Sequence, residues 1–122
     1  MRFLLLFSVC QILIGCSQFS NCKVEDGFSQ KFIESFLYVR ETEYQKEFLV
    51  EKRLNAIIFL SVVTNKESSI DDPHHPQYQS EAEFDAEINH WEDWYRQNKC
   101  KYTIREADSL VDLYNQGVLS LE

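Results

Sequence analysis

From Phe28 onward the apolar residues recur at helical rather than strand spacing. Phe28, Phe32, Ile33, Phe36 and Leu37 form one stripe, which predicts a helix that starts at Asp26 or Gly27 and ends near Arg40. Thr42-Glu43-Tyr44-Gln45 then has the form of a capping box, with Thr42 as N-cap and Gln45 reaching back. Tyr44, Phe48, Leu49 and Leu54 follow, and Ala56 to Val63 is β-branched and nearly all apolar. Periodicity alone would also allow a buried strand for that run. The cap, the charged first half and the lack of Gly or Pro before Thr64 favour one long helix, buried on most sides in its second half. No other segment offers a convincing partner strand.

Asn65 to Gln79 reads as a loop, since it holds both prolines, Pro73 and Pro76, with Ser68, Ser69, Asp71 and Asp72. Ser80-Glu81-Ala82-Glu83 is a second capping box. Phe84, Ile88, Trp91 and Tyr95 then share one face of a helix running to about Asn98. Acidic residues crowd its first turn and Arg96 and Lys99 its end, as the helix dipole prefers. Thr103-Ile104-Arg105-Glu106 is a third capping box, and Ala107, Leu110, Val111 and Tyr114 form the stripe of a last helix that Gly117 stops. The expectation is an all-α fold, a small bundle or orthogonal array of about four helices.

Ahead of this domain stands a different pattern. Met1-Arg2 is a short basic start, Phe3 to Ile14 is an apolar run, and Leu13-Ile14-Gly15-Cys16 closes it. The run is too short to cross a bilayer as a stable helix and has the length of a signal-peptide core. Its last four residues resemble the lipobox of bacterial lipoprotein signal peptides. The resemblance implies cleavage before Cys16 and a thioether-linked diacylglycerol on Cys16, usually with an acyl chain on its amine. It divides the chain into a leader over 1–15, a lipidated tether over 16–26 and a single helical domain over 27–122. Several acyl chains would give stable anchoring, where one binds only marginally. Ser17 stands where an Asp would imply inner-membrane retention, so the expected place is the periplasmic face of the outer membrane.

Loss of the leader would leave 107 of the 122 residues, enough for one core, and would move the net charge from −8 to −9 by removing Arg2. Such a charge repels nucleic acid and anionic headgroups, so no nucleic-acid partner is expected and the lipid on Cys16 is the expected membrane contact. It also suits a basic partner, although a solvated acidic surface accounts for it as well. With Cys10 discarded and Cys16 lipidated, Cys22 and Cys100 remain as one pair in an oxidising envelope. A disulfide between them is expected, closing a loop of about 80 residues worth on the order of 4 kcal/mol in the chain-entropy account. Two free thiols or an intermolecular link are the alternatives.

Trp91-Glu92-Asp93-Trp94-Tyr95-Arg96-Gln97-Asn98-Lys99 resembles a W-x-x-W-[WY]-x-x-N-[KR] helix of uncharacterised bacterial proteins, small envelope lipoproteins and HEAT-like helical pairs among them. The likeness spans roughly residues 44–105 and implies helical architecture, not an activity.

Few residues offer chemistry. His74 and His75 lie between prolines beside Asp71 and Asp72, and with Asp72 they are the candidate metal ligands. Adjacent histidines in an extended loop point to opposite sides, however, so no metal or other cofactor is expected. Glu87 and His90 stand at the i, i+3 spacing of di-iron bundles, but no second such motif exists, so a surface pair is the expectation. Trp91 and Tyr95 lie on the core stripe, whereas Trp94 is offset and is the aromatic candidate for a binding contact. No G-x-S-x-G and no Gly-rich phosphate loop occurs, and the chain offers no nucleophile, so an enzyme is not expected.

The resulting expectation is a lipid-anchored cell-envelope protein that works as a protein-interaction module through an envelope protein partner. An acidic inhibitor or immunity-type protein of a basic envelope toxin or enzyme is the second reading. A metal-dependent hydrolase or metal carrier using the His74/His75 loop is the third.

Overall fold

The structure is a computed structural model that describes residues 22–122. The leader over 1–15, the lipidation position Cys16 and most of the expected tether lie outside the described residues. Four helices follow one another, α1 (Asp26–Thr42), α2 (Val50–Thr64), α3 (Glu81–Asn98) and α4 (Ile104–Asn115), with no strand among the described residues. The all-α expectation holds.

The helix starts show how local chemistry sets the elements. The α1 cap is neither Asp26 nor Gly27 but Glu25, whose Oε2 accepts from the Phe28 N–H at 2.6 Å and also from the Ile104 N–H at 2.9 Å. One carboxylate thus satisfies orphan donors of two helices 79 residues apart in sequence. The approach is close, for a Cβ on Gly27 would stand 3.0 Å from the Ile104 side chain. At α3, Ser80 accepts from the Glu83 N–H at 3.1 Å, which is half of the expected box. At α4 the full reciprocal capping box of Thr103 and Glu106 is present.

The Thr42 box is not realised. Thr42 closes α1, and its hydroxyl donates back to the Tyr38 carbonyl, four residues earlier in the same helix. The hydroxyl oxygen accepts from the Arg53 side chain at 2.7 Å rather than from an N–H of a following turn. The chain leaves the helix over 43–49, and α2 begins at Val50 without a side-chain cap. The apolar run is helical as expected, buried almost all round from Ala56 to Thr64 apart from Ile58, which is half-buried. Asn65 ends it in the left-handed conformation (φ 54°), which Asn tolerates better than branched residues.

The core is built on α2. Ile57, Leu60 and Val63 meet Phe28, Phe32 and Val39 of α1, Phe84 and Trp91 of α3 and Ala107 of α4 in one cluster. Between α1 and α3 the packing is aromatic: Phe32 stacks on Tyr95 at 4.8 Å and on Trp94 at 5.7 Å, and Tyr102 stacks on Phe28 at 5.8 Å. No described helix is long and apolar enough to cross a membrane.

α1 and α3 run antiparallel, and this gives the molecule two ends. At one end Cys22, ahead of α1, meets Cys100, just past α3, with Cα atoms 5.8 Å apart. At the other, Tyr44 beyond α1 meets Phe84 in the first turn of α3, ring to ring at 5.8 Å. The 17 residues of α1 set the ends about 25 Å apart. The cysteine pair links positions 78 residues apart, so Cys22→Ser with Cys100→Ser is expected to lower unfolding stability by about 2–4 kcal/mol. Urea denaturation measures this, and non-reducing peptide mapping of the unmutated protein should recover the two cysteines in one cross-linked fragment.

Candidate functional site

The end formed by the 43–49 loop and the 65–80 loop carries the most unusual chemistry in the domain. At its centre is Arg53, on the first turn of α2, with no exposed surface. Its Nε donates to the Pro76 carbonyl at 2.6 Å. Nη1 donates to the Val39 carbonyl and to the Thr42 hydroxyl, both at 2.7 Å, and Nη2 donates to the Glu43 carboxylate. The guanidinium also lies over the rings of Phe48, at 5.4 Å, and Tyr78, at 6.0 Å. A guanidinium carries its donors in a rigid fork, and here the fork ties the end of α1, both loops and α2 together.

Glu43 extends the tie. Its other carboxylate oxygen accepts from the Tyr78 N–H at 3.3 Å, and its carbonyl accepts from the Gln77 side chain at 3.4 Å. Burial pushes the Glu43 carboxyl up, against the opposing pull of Arg53 and the Tyr78 N–H. A second buried carboxylate lies behind the 65–80 loop. Glu87 on α3 is buried, not part of a surface pair with His90, and it accepts from the Ser68 hydroxyl at 3.1 Å and the Ser69 hydroxyl at 3.5 Å. Burial raises its pKa, partly offset by hydrogen bonds from Tyr78, Ser68 and Ser69. The Tyr78 hydroxyl is pushed far up by burial and by Glu87.

Above this buried network the surface is apolar and acidic. Tyr44 is 71% exposed, Leu49 68% and Val50 40%. The Tyr44 hydroxyl is held above its ordinary pKa by lost hydration and then by the negative charges of Glu81, Asp85 and Glu43, which face it. Loops fixed from within yet apolar outside are the usual setting of a contact surface.

Comparison with protein-family models, with curated proteins and with solved structures finds no match to this chain. The reading of the site therefore rests on its own geometry.

His74 and His75 sit at this same end, exposed in the 65–80 loop. Asp72 does not face them as a free ligand: its Oδ1 accepts from the His74 N–H at 2.9 Å, and its carbonyl accepts from the His75 N–H at 3.0 Å. This is a turn held by an aspartate, and the His75 ring lies near Phe48, 6.5 Å between centroids. Among the described residues no group of three His, Cys, Asp or Glu stands close enough to hold a metal. Trp94 lies toward the other end, half-buried, with its ring against Phe28, Phe32 and Tyr102. Packing accounts for it. Cys22 and Cys100 are brought together, as expected.

Arg53, Glu43, Tyr78 and Glu87 were not among the expected site residues. Two of them leave a mark in the sequence. Arg53 precedes Ile57 and Leu60 at i+4 and i+7, and Glu87 follows Phe84 and precedes Trp91 on the same face, so each is a charge on a core stripe. Glu43 and Tyr78 lie in loops, where no period marks a buried position.

Arg53→Ala is expected to cost about 3–5 kcal/mol, since it strands the Glu43 carboxylate and three further acceptors. Arg53→Lys restores the charge but not the fork and should recover only part of that. Amide exchange in 43–49 and 75–79 should rise in both variants, ahead of exchange in α2. A Lys variant as stable and as protected as the parent would refute the fork's role.

Glu87 predicts a pH dependence of definite sign. With its folded pKa raised above the ordinary 4.5, the folded state keeps a proton that the unfolded chain has lost, so this residue's contribution to stability declines as pH rises through that window. Glu87→Gln is therefore expected to match the parent at pH values well below 4.5 and to be the more stable of the two at neutral pH. Paired urea titrations at the two pH values test this.

Proposed function

We propose that this chain is a lipid-anchored, non-enzymatic binding module of the bacterial cell envelope, held through Cys16 and working by contact with a protein partner at its loop end. The observation that carries the reading is the exposure of Tyr44 and Leu49 on the 43–49 loop, and of Val50 at the start of α2, at an end that Arg53 fixes from inside. A buried guanidinium does little for net stability when an apolar core would serve, so its use here is to hold one loop conformation. The apolar run that ends in Leu13-Ile14-Gly15-Cys16 supports the anchor, and Ser17 supports the outer membrane. The exposed carboxylates of Glu81 and Asp85 near Tyr44 favour a partner with basic and apolar groups together. An inhibitor of a basic envelope enzyme or toxin is the form of this module that such a surface suits.

A photo-crosslinking residue placed at Leu49, and separately at Gln97 near the opposite end, tests this in intact cells. The Leu49 probe should yield one dominant adduct and the Gln97 probe none of that species. Addition of Tyr44→Ala should weaken the Leu49 adduct at least tenfold. Cys16→Ala should release the protein from membranes or leave its leader uncleaved. Equal adducts from both probes, or no adduct, would sink the contact surface, whereas a normally anchored Cys16→Ala protein would sink the anchor.

A further inference from the structure

The two ends of the bundle differ in charge, and the end opposite the loops carries a cluster of exposed cations. Between Arg96 and Arg105 the chain carries Arg96, Lys99, Lys101 and Arg105 and no carboxylate. Lys23 joins them from the other side of the Cys22–Cys100 pair. Lys23, Lys101 and Arg105 are exposed and Lys99 is half-exposed. Arg96 is engaged with Asp93 at 2.9 Å. The other four make no ion pair among the described residues.

The carboxylates nearest in sequence keep their charge but are not paired with these cations. Glu25 is spent on the N–H groups of Phe28 and Ile104, and Glu106 on the capping box at Thr103. Asp26 faces solvent in the first turn of α1. Helix electrostatics explains Lys99, just past the C-terminus of α3. It does not explain Arg105, which sits in the first turn of α4, where a cation is disfavoured. The acidic residues Glu41, Glu43, Glu47, Glu51, Glu81 and Asp85 lie toward the loop end instead. The net charge of −8 is therefore unevenly spread, since these carboxylates outnumber Arg40, Lys46, Lys52 and Arg53 at the same end.

We propose that this cluster of unpaired cations is a membrane-contact face, with Lys23, Lys99, Lys101 and Arg105 meeting the phosphates of anionic phospholipid headgroups. The proposal rests in part on the anchored reading. Only five residues, Ser17 to Asn21, separate Cys16 from Cys22, so a lipid on Cys16 holds Cys22 within about 20 Å of the bilayer even with the tether fully extended. The same tether leaves the loop end free to stand outward. An anionic surface attracts juxtamembrane cations and repels the acidic end, and each cation near it strengthens binding roughly fivefold. The expected result is an upright domain that presents Tyr44 and Leu49 away from the lipid.

The test uses unlipidated protein from Ser17 to Glu122, which retains the entire core, so its outcome does not depend on whether Cys16 is modified. Its binding to phosphatidylcholine vesicles is compared with binding to vesicles of equal parts phosphatidylcholine and phosphatidylglycerol, by co-sedimentation at low ionic strength. Binding is expected only with phosphatidylglycerol and should weaken as salt is added. The triple variant Lys99→Glu, Lys101→Glu, Arg105→Glu should lose at least tenfold. Lys46→Glu with Lys52→Glu, which changes charge toward the loop end, should lose less than twofold, with circular dichroism confirming that both variants are folded. No retention on phosphatidylglycerol vesicles, or equal losses in the two variants, would overturn the membrane-contact face. Cell fractionation of Cys16→Ala reports separately on the anchor.

Discussion

A guanidinium with no exposed surface sets the terms for half of this molecule. Taking a cation out of water costs several kcal/mol after relaxation, and only a counter-charge with a full set of acceptors offsets that. Arg53 receives both, but from four groups in three places: two in the last turn of α1, one on the residue after it, and the carbonyl of Pro76 far along the chain. None of these groups can move without stranding a charge. The start of α2, the exit from α1 and the path of the 65–80 loop are therefore one decision. The same constraint explains why Leu49 can begin a helix without a capping side chain: the first turn is held by its third residue after the start, from inside.

The opposite end solves the same problem with other means. Glu25 caps two helices at once and the cysteine pair closes the ring from the start of α1 to the end of α3. A domain of this size buries a limited fraction of its surface, so a few well-placed ties count for a large part of its stability. Between the ends, the aromatic layer of Phe28, Phe32, Trp94, Tyr95 and Tyr102 needs no polar device, since large rings supply most of the burial. A polar link across that layer is the hydrogen bond between Ser29 and Tyr95, at 2.7 Å.

Helix content was legible where apolar spacing was regular. Phe84, Ile88, Trp91 and Tyr95 lie on the inner face of α3 as their spacing requires, and Thr103 and Glu106 form the box that their sequence spells. The reading failed where a side chain had a tertiary partner that no local rule can see. Thr42 has the right neighbours for an N-cap, yet Arg53 and the Tyr38 carbonyl claim its hydroxyl. Glu87 looked like a surface acid beside His90 because charged residues are seldom buried; three hydroxyl-bearing residues from the loop before α3 make the exception tolerable. The candidate site suffered most from this. Its exposed residues, Tyr44 and Leu49, have the local pattern of a long helix, and the loop that displays them is tied by Arg53 from within.

Buried ties and exposed surface are connected by more than proximity. An apolar side chain on a mobile loop loses conformational freedom when it binds, and that loss subtracts from affinity. Tyr44 and Leu49 lie on a loop that is already tied at Glu43, whose carboxylate accepts from Arg53 and Tyr78 and whose carbonyl accepts from Gln77, and at Phe48, whose ring lies under the guanidinium. Much of that ordering is complete before a partner arrives. Charge works in the same direction. Acidic groups beside an apolar patch discourage self-association through like-charge repulsion, while leaving the patch open to a surface of opposite sign. If the proposed contact surface is used, its selectivity would come from the surrounding carboxylates and its rigidity from one arginine that has no exposed surface.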